Sequence, residues 1–405
     1  MIRNRMTVKT AIHHPAAGGV LLLVSASFAV LMATVPSTQW FDRMWDMEAG
    51  LDIGGWSLQM SIRHWINDAL MAVFFFAAGL EIKREMVAGE LSSVRKSALP
   101  VMAAIGGMLL PACIYALFNG DSPETSGGWG IPMATDIAFA VGVLSLLGDR
   151  VPAGVKIFLM TLAVVDDIGA IIVLALFYPV HPVEWGYMLA AVALALVLVV
   201  LNVRNVRRKL VYIILGTVLW YLIYMSGIHA TVSGVVLAMV MPSRIRVKGA
   251  EGTVETKVDC SLEERIKPLV TFLIVPLFAL ANAGVAFNPE VFSNGLPGVS
   301  LGIAAGLLIG KPAGIFLFSL LSVKGRLAAL PSGVEWKHIA AVGVIGGIGF
   351  TMSIFINSLS FTDPAVTDIG KISVLITSVI AMAAGLAAMA AVCGKDNKPI
   401  KIKVQ

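Results

Sequence analysis

The chain is short of charge. Asp, Glu, Lys and Arg make up only 14% of its 405 residues, against about 25% in soluble domains. Hydrophobic residues make up 58%, and the mean hydropathy is +0.86. A chain with so little polar surface cannot face water on all sides, which excludes a soluble globular protein and calls for lipid as solvent. Cysteine is scarce as well. Cys113, Cys260 and Cys393 stand far apart without metal-ligand spacing and read as small core or loop residues. The Gly-x-Gly-Asp signature of an intramembrane aspartyl protease is missing: Gly148-Asp149 is followed by Arg150 in a charged segment. No stretch reads as a soluble module.

Long apolar runs are what the chain has in plenty. A span needs roughly 20 apolar residues. Twelve candidates lie near 16–35, 61–82, 97–118, 130–147, 156–178, 185–203, 210–225, 228–241, 266–286, 299–321, 338–359 and 369–392. With both termini cytoplasmic, 26 of the 30 Lys and Arg residues fall in inside segments, the exceptions being Arg43, Arg63, Lys311 and Lys371. Acids such as Asp42, Asp46, Glu48, Asp121, Glu124, Glu290 and Asp363 fall outside. This is the positive-inside pattern of a multi-pass protein, and one span more or fewer would scramble it. The net charge of +5 therefore reports orientation and anionic lipid, not nucleic acid. The first run, Ala16 to Val35, is longer than the apolar core of a signal peptide, about 7–15 residues, and reads as a retained helix.

The organisation is one membrane domain, 1–405, with two loops long enough to carry structure. The outer stretch 36–60 contains Asp52-Ile-Gly-Gly-Trp-Ser-Leu, a paired glycine between β-formers that signals a hairpin. The alternative is an irregular loop with Trp40, Trp45 and Trp56 at the headgroups. The inner loop 242–262 is polar and charged and reads as mobile, and 393–405 is a cytoplasmic tail. In the tenth span Gly302, Gly306, Gly310 and Gly314 share one helix face and allow close approach of a neighbour.

A charge at mid-bilayer is costly and marks function by default. Five residues qualify: Asp68, Asp136, Asp166, Asp167 and Lys311. Asp166 and Asp167 are adjacent in LAVVDDIGAIIVLAL. Helical neighbours point about 100° apart, so both carboxylates can serve one cavity. Such a site can hold protons or a hard monovalent cation, but not easily both, and that competition is what an exchanger needs. Asp136, with Thr135, follows Gly-Ile-Pro in a short fourth span whose Pro132 cannot donate a backbone hydrogen bond. The eleventh span, with Gly346, Gly347 and Gly349 before Thr351 and Ser353, shows a matching weakness. Unwound helices expose dipole ends inside the membrane. An aspartate can neutralise the positive ends and a lysine the negative ones, roles that suit Asp136 and Lys311. Asp68 fits a lining or capping role as well as ion binding. Glu81, Lys83, Arg84 and Glu85 read first as a solvated helix end, and second as a gate for proton access.

These residues sit in motifs that resemble NhaA-type sodium/proton antiporters along nearly the whole chain. The motifs are WINDALMAVFFF (65–76), GLEIKREM (79–86), ATDIAFAVGVL (134–144), VVDDIGA (164–170), GIHATVSGV (227–235), PLFALANAGV (276–285), GKPAGI (310–315) and GIGFTMSIFI (347–356). The resemblance implies an all-α inner-membrane protein of twelve transmembrane helices with inverted repeats, spans 3–5 against 10–12. Spans 4 and 11 are interrupted and cross at their unwound middles, an architecture for which this family is itself a type example. It implies electrogenic exchange of sodium or lithium for protons, without a cofactor, under pH control. Asp167 would be the main cation ligand, with Asp166 carrying a proton and pairing with Lys311, and Thr135 and Asp136 at the crossing. The outer loop would form a β-hairpin that joins a homodimer. His229 matches a histidine linked to pH response. Glu81, Arg84, Glu85, Glu263, Glu264 and Lys267 are further pH-response candidates. The family's histidines at the start of the ninth span are absent here, where the chain reads LEERIKP. A sodium-coupled symporter and a passive cation channel are the alternatives to an antiporter. Organic-substrate uptake or proton-independent flux would mark them.

Overall fold

The computed structural model describes residues 17–53, 56–179, 181–242, 244–248, 254–286 and 296–394. The basic tails around Arg3 and Lys395, the paired Gly54 and Gly55, and Glu290 lie outside the described residues. The chain is mostly helical. Among the described residues, eight helical runs are long and apolar enough to cross a membrane, or nine with one bent pair. Among them are α1 (Ala17–Thr34), α3 (Ile62–Ala88), α4 (Val94–Asn119), α6 (Ala153–Phe177), α7 (Trp185–Val203), α12 (Gly298–Lys324) and α15 (Pro364–Cys393). The other expected spans fall on shorter pieces: α8 (Lys209–Met225), α9 (Val232–Val240), and α10 (Ser261–Leu269) followed by α11 (Val275–Asn282).

Two compact units emerge, neither continuous in sequence. The first comprises 1–27, 95–167 and 287–405, and the second 28–94 and 168–286. The first holds the broken helices. A 3-10 helix, Ser126–Met133, ends in extended backbone over 134–136, and α5 (Ile137–Leu147) begins there. α13 (Trp336–Gly346) and α14 (Phe350–Ser360) are likewise parted by Gly347, Ile348 and Gly349, with a bend of 46°. The glycine face of α12 packs on α4 and the 3-10 helix. A Cβ on Gly314 would lie 2.1 Å from the Gly106 carbonyl oxygen, and one on Gly306 would lie 2.7 Å from the Pro132 ring. Within α12 a π turn, Gly306–Gly310, immediately precedes Lys311-Pro312. Proline cannot donate to the ladder and collides with the carbonyl four residues back, and the wider turn relieves both. The same device, Val270–Ile274 before Pro276, joins α10 to α11 in the second unit.

The second unit carries both strand pairs. β1 (Glu48–Ile53) and β2 (Trp56–Ser61) are antiparallel, with Glu48 opposite Ser61 and Ile53 opposite Trp56. The stretch expected to lie outside thus pairs as a hairpin. It is preceded by a short helix, α2 (Gln39–Trp45), which buries Phe41 and Trp45 one turn apart in an edge-to-face pair at 5.5 Å. The stretch expected to be a mobile inner loop pairs β3 (Arg244–Lys248) with β4 (Val254–Val258). Alternating residues such as Val254, Thr256 and Val258 suit a strand, a period too short to stand out between charges.

Candidate cation and proton site

In the first unit the two breaks meet. The backbone N–H of Asp136 donates to the Ile348 carbonyl at 2.7 Å, and Ser353 Oγ donates to Ile131 O at 2.7 Å. The crossing leaves four helix ends inside the protein, each with unpaired backbone groups. Asp136 serves the two positive ends. Its Oδ1 accepts from Phe139 N at 3.2 Å in the first turn of α5. Its Oδ2 accepts from Thr351 N at 3.2 Å in the first turn of α14, and from Thr351 Oγ1 at 2.5 Å. Ser378 Oγ on α15 takes the neighbouring Phe350 N–H at 3.1 Å. The negative ends are met by donors. Lys311 Nζ donates to Met133 O, the last carbonyl of the 3-10 helix. Thr135 Oγ1 lies 3.0 Å from Gly346 O, the last residue of α13.

The same two donors hold Asp166. Its Oδ2 is 2.8 Å from Lys311 Nζ and 2.7 Å from Thr135 Oγ1, and both charged side chains are fully buried. Thr135 has one proton and two acceptors within reach, so its hydroxyl can serve Asp166 or Gly346 but not both. Asp167, the next residue of α6, is also buried. The structure therefore brings Thr135, Asp136, Asp166, Asp167 and Lys311 together in one unit, all 3% exposed or less.

The remaining candidates lie in the second unit. Arg84 gathers three carboxylates: Glu263 Oε1 at 2.6 Å from NH1, Glu85 Oε1 at 3.4 Å and Glu81 Oε1 at 3.6 Å from NH2. Lys267 Nζ is 3.9 Å from Glu81. Glu264 is exposed and makes no ion pair among the described residues. Burial pushes the Glu263 carboxyl above its ordinary value against the pull of Arg84. His229 is not part of this cluster. It is buried, with Nδ1 at 3.9 Å from Asp68 Oδ1. Asp68 lies within a π turn, Ile66–Leu70, of α3.

A family model described as Na+/H+ antiporter 1 matches residues 9–389. The chain belongs to that family. The relatives include "Na(+)/H(+) antiporter NhaA 2" of Flavobacterium johnsoniae, 48% identical over 91% of this chain and 89% of its own length. NhaA of Shewanella sp. (strain MR-7) is 45% identical over 93% and 96%, and NhaA of Salmonella paratyphi B 47% identical over 91% and 94%. Among solved structures, the sodium proton antiporter MjNhaP1 from Methanocaldococcus jannaschii at pH 8 aligns with a TM-score of 0.52 over 95% of this chain and 98% of that one. At 12% identity that likeness concerns the fold alone. Membership of the Na+/H+ antiporter 1 family makes the chain a secondary transporter and not an enzyme, and its apolar helices make it a multi-pass membrane protein.

For this member of the family, two partners at the crossing lay beyond reach of the sequence alone. Thr351 stood out only as a hydroxyl after a glycine run, with nothing to say that it meets Asp136. Ser378 carried no signal, being one hydroxyl in an apolar helix.

Proposed function

We propose that the chain is an electrogenic Na+/H+ antiporter of the bacterial inner membrane. Sodium or lithium and protons compete for Asp166 and Asp167, and sodium leaves as protons enter. The observation that carries this reading is the Asp166–Lys311 contact at 2.8 Å with both side chains fully buried, one residue from a second buried carboxylate. A buried pair of this kind is weak evidence for stability, because desolvation offsets the attraction. Its position fits a switch. A proton on Asp166 removes the charge that faces Lys311 and frees the Thr135 proton for Gly346. Loss of that proton restores both contacts. Asp167 is the main cation ligand. Cation entry expels up to both protons, so the exchange moves net charge. Asp136 neutralises the two positive helix ends and stays charged through the cycle.

The surrounding architecture is twelve spans with both termini cytoplasmic, in a single transport domain. Spans 3–5 and 10–12 are inverted repeats. The outer hairpin joins a homodimer, and basic inner segments meet anionic lipid. Activation by alkaline pH comes mainly from deprotonation of Asp166 and Asp167. Glu81, Arg84, Glu85, Glu263, Glu264, Lys267 and His229 tune its midpoint, and Asp68 lines the path. Sodium-induced proton release in everted vesicles tests the reading. Wild type should release protons on sodium addition and generate a potential-sensitive flux. Sodium flux that is equal with and without a pH gradient would replace the antiporter with a channel.

A further inference from the structure

Lys83 reads in the sequence as one more positive charge at the inner end of α3. In the structure its head is not turned to solvent charge but to backbone. Nζ donates to Met239 O at 2.6 Å, to Ala238 O at 3.3 Å and to Met241 O. An ammonium has three donors, and here three carbonyls at the end of α9 converge on it. Those carbonyls have no partner within the helix, and the negative end of the dipole favours a cation. α9 is only nine residues long, about 13 Å, too short to be stable by itself. Its register on α3 is set by glycines. A Cβ on Gly79 would lie 2.7 Å from the Ala238 methyl, and one on Gly234 would lie 2.1 Å from the Ala72 carbonyl oxygen. The opposite end of the same helix pair carries the His229–Asp68 contact at 3.9 Å.

We propose that Lys83 is a positioning residue that locks α9 onto α3, so that the Asp68–His229 contact at one end and the Arg84 cluster at the other are held by a single element. The proposal rests on the reading of His229 as a tuner of the pH response. The groups that face these two ends are His64 and Tyr224 beside Asp68 and His229, and Glu81, Glu85, Glu263, Glu264, Lys267 and Cys260 around Arg84. Arg84 follows Lys83 directly, about 100° around the helix, so α3 presents one cation to a helix end and the next to carboxylates.

The test uses the full-length protein with Lys83→Met, which keeps the stem and drops the charge, and Lys83→Arg, which keeps the charge but spreads its donors in a plane. Hydrogen exchange is followed over 229–241, antiport against pH is measured in proteoliposomes, and orientation is read from a C-terminal tag. Lys83→Met should speed exchange by about tenfold or more, the loss of a charged hydrogen bond. The increase should reach the 229–232 end, and the pH midpoint should move by roughly half a unit with orientation unchanged. Lys83→Arg should restore part of both. A rise in exchange confined to 237–241 with an unmoved pH profile would overturn the proposal and leave Lys83 as an orientation charge. His229→Ala separates the two layers. If it too leaves the profile unmoved, the pH reading of His229 fails, and the spread of exchange alone decides the role of Lys83.

Discussion

The crossing around Asp136 and the cluster around Arg84 are both built from a few charges on helix ends, yet they differ in burial. At the crossing every charged side chain is 3% exposed or less. In the Arg84 cluster the side chains are 8% to 61% exposed. Coulomb interactions and desolvation costs are both far larger in the first setting. Charges at the crossing must be balanced against one another and against helix dipoles, so that removal of one leaves another stranded. In the cluster Glu81, Arg84, Glu85 and Lys267 can turn to water and ions when a partner is lost, and only Glu263 is buried. This difference in burial supports the proposed division of labour, with exchange at the crossing and adjustment in the cluster.

The comparison breaks most directly at Asp167. Asp167→Asn keeps the shape and removes the charge, and sodium-driven proton movement in everted vesicles should vanish. Robust exchange in that variant would place the site elsewhere. Lys311→Ala comes next. It leaves Asp166 buried without its cation and Met133 O without its donor, a loss of about 3–5 kcal/mol by analogy with broken buried pairs. Melting of the purified protein should drop steeply and transport should fail. An unchanged melting curve with an unchanged pH profile would remove the pair from the mechanism.

Thr351→Val sharpens the comparison at the crossing itself. The β-branched shape stays, but Asp136 loses its 2.5 Å hydroxyl donor, with a cost of about 1–3 kcal/mol. Thr351→Ser should recover most of it. Equal melting of the valine and serine variants would show that the hydroxyl adds nothing.

The smallest effects belong to the cluster. Arg84→Gln should cost about 1 kcal/mol or less in stability, and the cost should shrink further in high salt. A salt-independent loss would mean that the cluster is drier than its exposure indicates. Glu263 adds a pH signature. Its folded value is raised by burial above the ordinary 4.5, so the fold favours its protonated form. The stability it contributes is present below pH 4.5 and is lost as pH rises through the raised value. Glu263→Gln should remove that decline and shift the antiport midpoint only modestly. A flat activity profile with intact maximal rate in Glu263→Gln or His229→Ala would move pH control from the aspartate pair to a remote sensor.

The breaks in the helices were legible because proline and glycine act locally. Pro132 and the Gly346-Gly347-x-Gly349 run weaken their helices whatever surrounds them. The outer hairpin was legible for the same reason. The inner strand pair was not, since five-residue strands among charges have no period long enough to read. The placement of His229 against Asp68, and not among the Glu81–Arg84 charges, was equally hidden. Those residues are separated by more than a hundred positions, and no local preference relates them.

By itself, then, the sequence determined the solvent, the wealth of apolar helices and the handful of charges that lipid would not tolerate without a purpose. Scarcity of charge and its placement decide these, because transfer into lipid is a property of each segment alone. Only the tertiary structure decided which helix ends face which charges. A dipole end, a carboxylate and a hydroxyl compensate one another over about 3 Å, and that proximity arises only when Asp136 and Thr351, 215 positions apart, are folded into contact.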